Sequence, residues 1–454
     1  MAELQPANAS WHRFLPRAVR DRLDGRHGLQ AVLSNSSWMF GDKILRMIMG
    51  LLVGVWTVRY LGPTQLGLLN FSGAFAGLFA AFATLGLDSL VVRDLVHEPS
   101  RQNTLLGTAF VMKLVAGTLS VLAAVVAIAI VRPGETLTLY IVLLSSAIYI
   151  FQSLFVIDFY FQAKVQSKYT VYSTTSAFLV ISAVKVTLLV TNASLLAFAW
   201  AGLAEFILGS MFLVVAFRAN HQSLKLWSFD KTVAWTLLRH CWPLILSGLA
   251  IMIYMRIDQV MIGQMLGDHD VGLFSAAVRI SEMWYFVPLA LASSVFPAII
   301  ASKKLGEAIY YERLQKFFTL MTWLGLIVAI VVSLARNWIT HLLYGDAYAA
   351  SASVLGIHIW AGVFVASGVA SSGWFIVEHL QKIAFYRALG GGFVNVALNF
   401  VLIPRYGIEG AATATVISQG LASIVFDVVN PKTRPIFWMK LKAFDPMRLL
   451  TLRG

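Results

Sequence analysis

Three short stretches place ionisable side chains inside otherwise apolar sequence: "GDKILRM" (41–47), "MIYMRIDQVMIG" (252–263) and "AVRISEM" (277–283). They bring together Asp42, Lys43 and Arg46, then Arg256 and Asp258, then Arg279 and Glu282, while Glu205 stands alone in "AEFIL" (204–208). At the centre of a membrane helix each such charge costs at least about 2.5–3.5 kcal/mol, so it must face a partner or an aqueous cavity. An arginine there suits phosphate, because its planar fork donates two parallel charge-assisted hydrogen bonds. A carboxylate there suits a proton or Na⁺. The candidate anion-binding residues are therefore Arg46, Arg279, Arg256 and Lys43. Asp42, Asp258, Glu282 and Glu205 are candidates for ion coupling or for ion pairing. Lys113, Asp158, Lys185 and Glu378 complete the set, with Lys113 and Lys185 read as packed between helices or snorkelling to an interface.

The elements that must hold these residues follow from composition. The 454 residues are 58% hydrophobic and 13% charged, with mean hydropathy +0.75. That much apolar surface does not fit one water-soluble core, and a bilayer is its solvent. Twelve apolar runs are long enough to span: about 32–58, 66–90, 104–131, 137–160, 170–190, 194–217, 241–266, 271–300, 317–343, 351–376, 383–403 and 407–427. The expected fold is all-α and polytopic.

With both termini in the cytoplasm, the inner segments hold 25 Lys or Arg and the outer loops four: Arg59, Arg132, Arg336 and Arg405. Cytoplasmic loops are enriched in Lys and Arg, which fixes this orientation. The net charge of +13 is then mostly inner-leaflet anchoring. Nucleic acid is not an expected partner, since no basic–aromatic cluster or soluble domain exists to carry it. Cys241 is the only cysteine, so neither a disulfide framework nor a thiolate metal site is available. Residues 1–30 lack a signal-peptide pattern; Trp11, Leu15, Val19 and Leu23, interleaved with Arg13, Arg17, Arg20, Arg22 and Arg26, read either as a short interfacial helix or as a basic leader.

An internal repeat organises the runs. "LGPTQLGLLNF" (61–71) and "LGDHDVGLFSA" (266–276) share Leu-Gly, four residues, then Gly-Leu, at an offset of 205; "FQAKVQSKY" (161–169) and "VEHLQKIAFY" (377–386) lie at an offset of about 215. Six helices followed by six related helices of the same orientation imply two lobes related by a pseudo-two-fold axis along the membrane normal, with a cavity between them. The expected divisions are a basic extension (1–30), an N-lobe (31–217), a cytoplasmic linker (218–240), a C-lobe (241–427) and a basic tail (428–454).

Depth sorts the charges. At ~1.5 Å per residue from the turn at 267–271, Arg256 lies about 15 Å deep, Asp258 about 12 Å, Arg279 about 12 Å and Glu282 about 16 Å. Two cross-helix pairs, Arg256–Glu282 and Asp258–Arg279, are one reading. The other sets at least one of these arginines on the cavity. Asp42 and Arg46, spaced i, i+4, share a face that leaves Lys43 about 100° away. Arg46 and Lys43 lie about 20 and 24 Å below Arg59, which makes the cations a ladder from the inner side to the midplane.

"RYLGPTQLGLLNF", "MRIDQVMIGQMLGDHDVGLFSAAVRISEMWYFVPLALASSVFPAI" and "LNFVLIPRYGIEGAATATVIS" (398–418) resemble the polysaccharide transporter family, the O-antigen and exopolysaccharide flippases, within the multidrug/oligosaccharidyl-lipid/polysaccharide exporter superfamily. The resemblance runs over roughly residues 32–427. It implies a V-shaped pair of lobes whose first, second, seventh and eighth helices line a central cleft. It also implies a cargo of undecaprenyl-pyrophosphate-linked oligosaccharide, moved from the inner to the outer leaflet of the bacterial cytoplasmic membrane by alternating access. Cleft cations on the first and eighth helices, which such flippases use on pyrophosphate, match Arg46 and Arg279. Membrane lipids, glycosyltransferases and a polysaccharide polymerase are the implied partners. Many relatives have fourteen helices, so the side groove that extra helices form is not carried over to this chain.

Two rivals follow from the same features. A multidrug or cation exporter of the superfamily wants unpaired carboxylates in the cleft, and the basic candidates here match or outnumber the acidic ones. A polysaccharide polymerase or ligase needs a sizeable outer loop, and the sequence has none; nor has it a metal-ligand cluster, nucleophile elbow or Walker motif, so an enzyme is not expected and no cofactor is required. Nothing in the spacing selects H⁺, Na⁺ or the membrane potential as the driving force. Trp38, Trp56, Tyr254, Trp284 and Tyr285 are placed to stack on sugars or to pack the core.

Overall fold

The computed structural model describes residues 27–448, with side chains from Trp38 onward except at 39, 40 and 44. The basic leader with its five arginines, its interfacial-helix reading, and the end of the tail including Arg453 lie outside the described residues. The described chain is helical, in sixteen α-helices joined by short turns and 3₁₀ segments. They are α1 (His27–Gly77), α2 (Ala80–Thr84), α3 (Asp88–His97), α4 (Gln102–Val131), α5 (Thr136–Gln152), α6 (Val156–Ala163), α7 (Lys168–Val190), α8 (Leu195–Ala219), α9 (Lys231–Met265), α10 (Asp268–Met283), α11 (Phe286–Ser302), α12 (Glu307–Tyr344), α13 (Ser351–His358), α14 (Ala361–Val377), α15 (Gln381–Ser423) and α16 (Arg434–Lys442).

Ten helical stretches of the described residues are long and apolar enough to cross a membrane, and the protein is a multi-pass membrane protein. Twelve runs become ten stretches for a backbone reason. Gly62 breaks α1 at φ 67°, ψ 172°, followed by Pro63, and Gly407 breaks α15 at φ 60°, ψ −141°, three residues after Pro404. Glycine adopts positive φ without a Cβ clash, so the chain can reverse within one residue while the flanking turns stay helical. α1 thus holds the first run and the start of the second, and α15 holds the eleventh and twelfth.

The chain is organised as two compact units. One comprises the residues up to Gly54 and Phe79–Leu246; the other comprises Val55–Leu78 and everything from Ser247 onward. The hairpin 55–78 therefore groups with the second half of the sequence, and segment 218–246 with the first, unlike the contiguous lobes 31–217 and 241–427 drawn from the repeat. In the first unit the core joins Leu87, which precedes α3, and Val91 of α3, Leu106 and Ala109 of α4, Ile157 and Phe161 of α6, Phe217 of α8 and Cys241 of α9. In the second, Tyr310, Leu314 and Phe318 of α12 pack with Ala366, Ala370 and Trp374 of α14 and with Ile436 of α16. The tail helix is thus part of that core.

Arg59 and Tyr348 secure the hairpin. Arg59 donates from Nε to Leu343 O at 2.7 Å and from Nη2 to Leu342 O at 2.5 Å, and the Tyr348 hydroxyl donates to Val58 O at 2.8 Å. The two carbonyls belong to the last turn of α12, where peptide oxygens lack intrahelical partners and a cation is favoured.

Candidate functional site

In the first unit the charges of α1 meet α7 and α8. Arg46 Nε donates to Asp42 Oδ1 at 2.8 Å, one helical turn away, and Arg46 Nη1 lies 3.7 Å from Glu205 Oε1. Glu205 Oε2 in turn lies 3.6 Å from Lys185 Nζ, and Thr175 donates its hydroxyl hydrogen bond to Asp42 Oδ1. The Arg46 guanidinium also sits over the Phe178 ring, 4.9 Å from its centroid. Two cations and two carboxylates alternate, so the cluster is neutral as a set. Arg46, Asp42, Glu205 and Lys185 keep 17–28% of their side chains exposed, so none of the four is sealed inside the protein. A cavity of about 170 Å³ opens beside them, lined by Arg46, Thr174, Glu205, Phe155, Phe206 and Gly209. Lys43 is exposed and has no ion-pair partner among the described residues.

In the second unit Asp258 is buried, but not against Arg279. Its Oδ1 accepts from Asn399 Nδ2 at 2.5 Å and its Oδ2 from Thr415 Oγ1 at 2.8 Å. Asn399 Nδ2 also reaches Asn395 Oδ1 at 3.2 Å, and Asn395 Nδ2 reaches Ser418 Oγ at 3.4 Å. The expected Asp258–Arg279 pair is thereby corrected: α15 presents a row of amides and hydroxyls that satisfies the carboxylate without a counter-charge. Asn399 Oδ1 is buried and accepts nothing among the described residues. A buried amide oxygen beside a carboxylate and two hydroxyls is a set of hard oxygen ligands, suited to a proton or a small cation.

The second expected pair is also looser than drawn. Glu282 feels the charge of Arg256 and of Asp258, but Arg256 does not close to a direct ion pair with it. Arg279 is exposed on α10 and acts on Tyr344 at the end of α12. Of the remaining charges, Lys113 lies over the Phe159 ring at 5.1 Å, Asp158 accepts from Gln162 and Thr170, and Glu378 takes Lys303 at 2.7 Å. Among the aromatics, Trp38 meets Tyr172 edge-on, while Trp284 fills the space beside Gly325 and Gly362.

Sequence reasoning passed over Asn395, Asn399, Thr415 and Ser418, which are uncharged. The signal was present: two asparagines spaced i, i+4 in an apolar run, with a threonine and a serine three apart in the next.

The fold is that of a polytopic transporter of the multidrug/oligosaccharidyl-lipid/polysaccharide exporter superfamily. Residues 32–303 match the family described as "Polysaccharide biosynthesis protein", and the chain belongs to it; residues 243–401 also match MatE. The probable flippase AglR of Haloferax volcanii is 29% identical over 198 residues, 41% of this chain and 40% of that protein. The capsular polysaccharide biosynthesis protein CapF of Staphylococcus aureus is 22% identical over 171 residues, 37% of this chain and 43% of its own. The match thus spans about two-fifths of these relatives' lengths. Among solved structures, the lipid II flippase MurJ in an inward closed conformation superposes with TM-score 0.66 at 15% identity, over 93% of both chains.

Proposed function

We propose that the protein flips an undecaprenyl-pyrophosphate-linked oligosaccharide from the inner to the outer leaflet of the bacterial cytoplasmic membrane by alternating access, with both termini in the cytoplasm. Glycosyltransferases would supply the cargo and a polymerase would consume it. The observation that carries this reading is Arg46, partly exposed at a cavity and held by two carboxylates. A diphosphate can take the Arg46 guanidinium over from Asp42 and Glu205, with Thr175 and Lys185 remaining as partners of those two carboxylates. Lys43 in the same unit, and Arg256 and Arg279 in the other, are proposed as further cargo-binding residues because a cation in an apolar helix suits a phosphate. A lipid carrier keeps its tail in the bilayer, so the protein needs only a wet, basic path for the head.

Asp258 is the proposed site of a coupling cation, H⁺ or Na⁺, with Asn399, Asn395 and Thr415 as its oxygen ligands. That same pocket favours a second reading, a cation or multidrug exporter of the superfamily. The deciding experiment reconstitutes the protein in liposomes with a fluorescent polyprenyl-pyrophosphate oligosaccharide, and in parallel with cationic dyes. Protein-dependent exposure of the glycan to an external lectin supports the flippase. Dye transport with no glycan exposure replaces that reading with the exporter.

A further inference from the structure

The tail helix α16 has two faces of different chemistry. Ile436, Lys440 and, just past its end, Ala443 are buried, and Arg434, Trp438, Leu441 and Lys442 lie on the opposite side, all exposed. Spacings of four, three and one put those four on one stripe about 100° wide. Trp438 is 57% exposed and Leu441 41%, flanked by cations at both ends and by exposed Lys432. Val428 and Val429, just before the helix, and Met447, just after it, are also exposed.

The orientation of that stripe is fixed from below. Lys440 Nζ is fully buried and donates to Ser423 O at 2.6 Å, Asp427 Oδ2 at 2.8 Å and Ser371 Oγ at 3.1 Å. Asp427 Oδ1 also takes Arg387 Nη1 at 3.0 Å, and Gln315 Nε2 of α12 donates to Met439 O at 2.9 Å. One ammonium therefore ties α16 to α14 and to the end of α15, using all three of its hydrogens. A buried lysine with every donor satisfied holds its helix in one rotational setting, because any rotation strands the charge.

We propose that the Arg434–Trp438–Leu441–Lys442 face is a docking surface for anionic phospholipid headgroups at the membrane surface beside the last span. Tryptophan and leucine between cations, on a short helix leaving a spanning segment, match an interfacial helix: the rings and aliphatic chains enter the headgroup–acyl boundary while Lys and Arg meet phosphate. With both termini in the cytoplasm this is the inner leaflet; the surface itself does not depend on what the protein carries.

The test uses the full chain in nanodiscs, with Leu441→Cys carrying a polarity-sensitive dye; Cys241 is buried and unlabelled wild type serves as control. With increasing phosphatidylglycerol in phosphatidylcholine, emission moves to shorter wavelength, and high salt reverses the move. Combined Lys432→Gln, Arg434→Gln and Lys442→Gln raises the phosphatidylglycerol needed for half the shift by roughly tenfold or more. Heat stability of unlabelled protein, raised by phosphatidylglycerol in wild type and not in the triple variant, is the readout independent of the dye. Water-like emission in both bilayers, or a shift driven by soluble pyrophosphate in pure phosphatidylcholine, overturns the proposal.

Discussion

Gly67 and Gly272 face each other's turns reciprocally: a Cβ on Gly67 would fall 1.6 Å from Asp268 O, and one on Gly272 would fall 1.9 Å from Pro63 O. The partners are repeat-equivalent, since 63 and 268 differ by the same 205 positions as 67 and 272. The Leu-Gly…Gly-Leu motif is thus a self-complementary contact in which each copy's second glycine admits the other's backbone. Close approach of this kind is what small residues supply in lipid. Gly67→Ala and Gly272→Ala should each destabilise by at least about 1–3 kcal/mol, the range for overpacking. Because both break one contact, the double variant should cost clearly less than the sum. Thermal unfolding in detergent measures this, and strict additivity would show that the two turns do not share the contact.

Arg46→Ala and Arg279→Ala should each cut glycan export tenfold or more in a complemented deletion strain, while the protein inserts at wild-type levels. Arg46→Lys should recover little, because lysine lacks the fork that spans Asp42 and Glu205. Export at wild-type rates from both alanine variants would remove arginine from cargo recognition.

Asp258→Asn should abolish dependence of transport on the coupling cation, and Asn399→Ala should weaken it. Where that ion is Na⁺, NaCl but not KCl raises the melting temperature of wild type, and Asp258→Asn loses the difference. Unchanged ion dependence in Asp258→Asn would place coupling elsewhere, with Asp42 and Glu205 next to be tested.

Asp230 precedes α9 and caps it: its Oδ1 accepts from the backbone N–H of Thr232 at 2.7 Å and of Val233 at 3.1 Å. These bonds, Val233 first, hold its carboxyl below the usual carboxylate range. The folded value is depressed, so the contribution is complete above the ordinary carboxylate range and fades as pH falls through the lowered value. Asp230→Ala should lower the melting temperature slightly at neutral pH and flatten its decline in acid. A melting curve against pH that is identical in both proteins would show that the cap contributes nothing.

The sequence alone determined that this chain lives in a bilayer, where its twelve apolar runs lie, that its two halves repeat, and that Asp42 and Arg46 share a face. Those properties depend on composition and on spacings within one helix, which local geometry fixes. It also carried enough of the three matched stretches to indicate the family. Tertiary structure alone decided the partners across helices. Depth counting set Asp258 level with Arg279, yet the rotation of each helix about its axis turned Asp258 to Asn399 and Thr415, more than a hundred residues away in sequence. Lys440 read as one more basic residue of a tail, and only the packing of α16 showed an ammonium buried with three acceptors. Spacing along a helix gives height and face; which neighbour fills that face is settled by how the helices pack, and no single run contains that information.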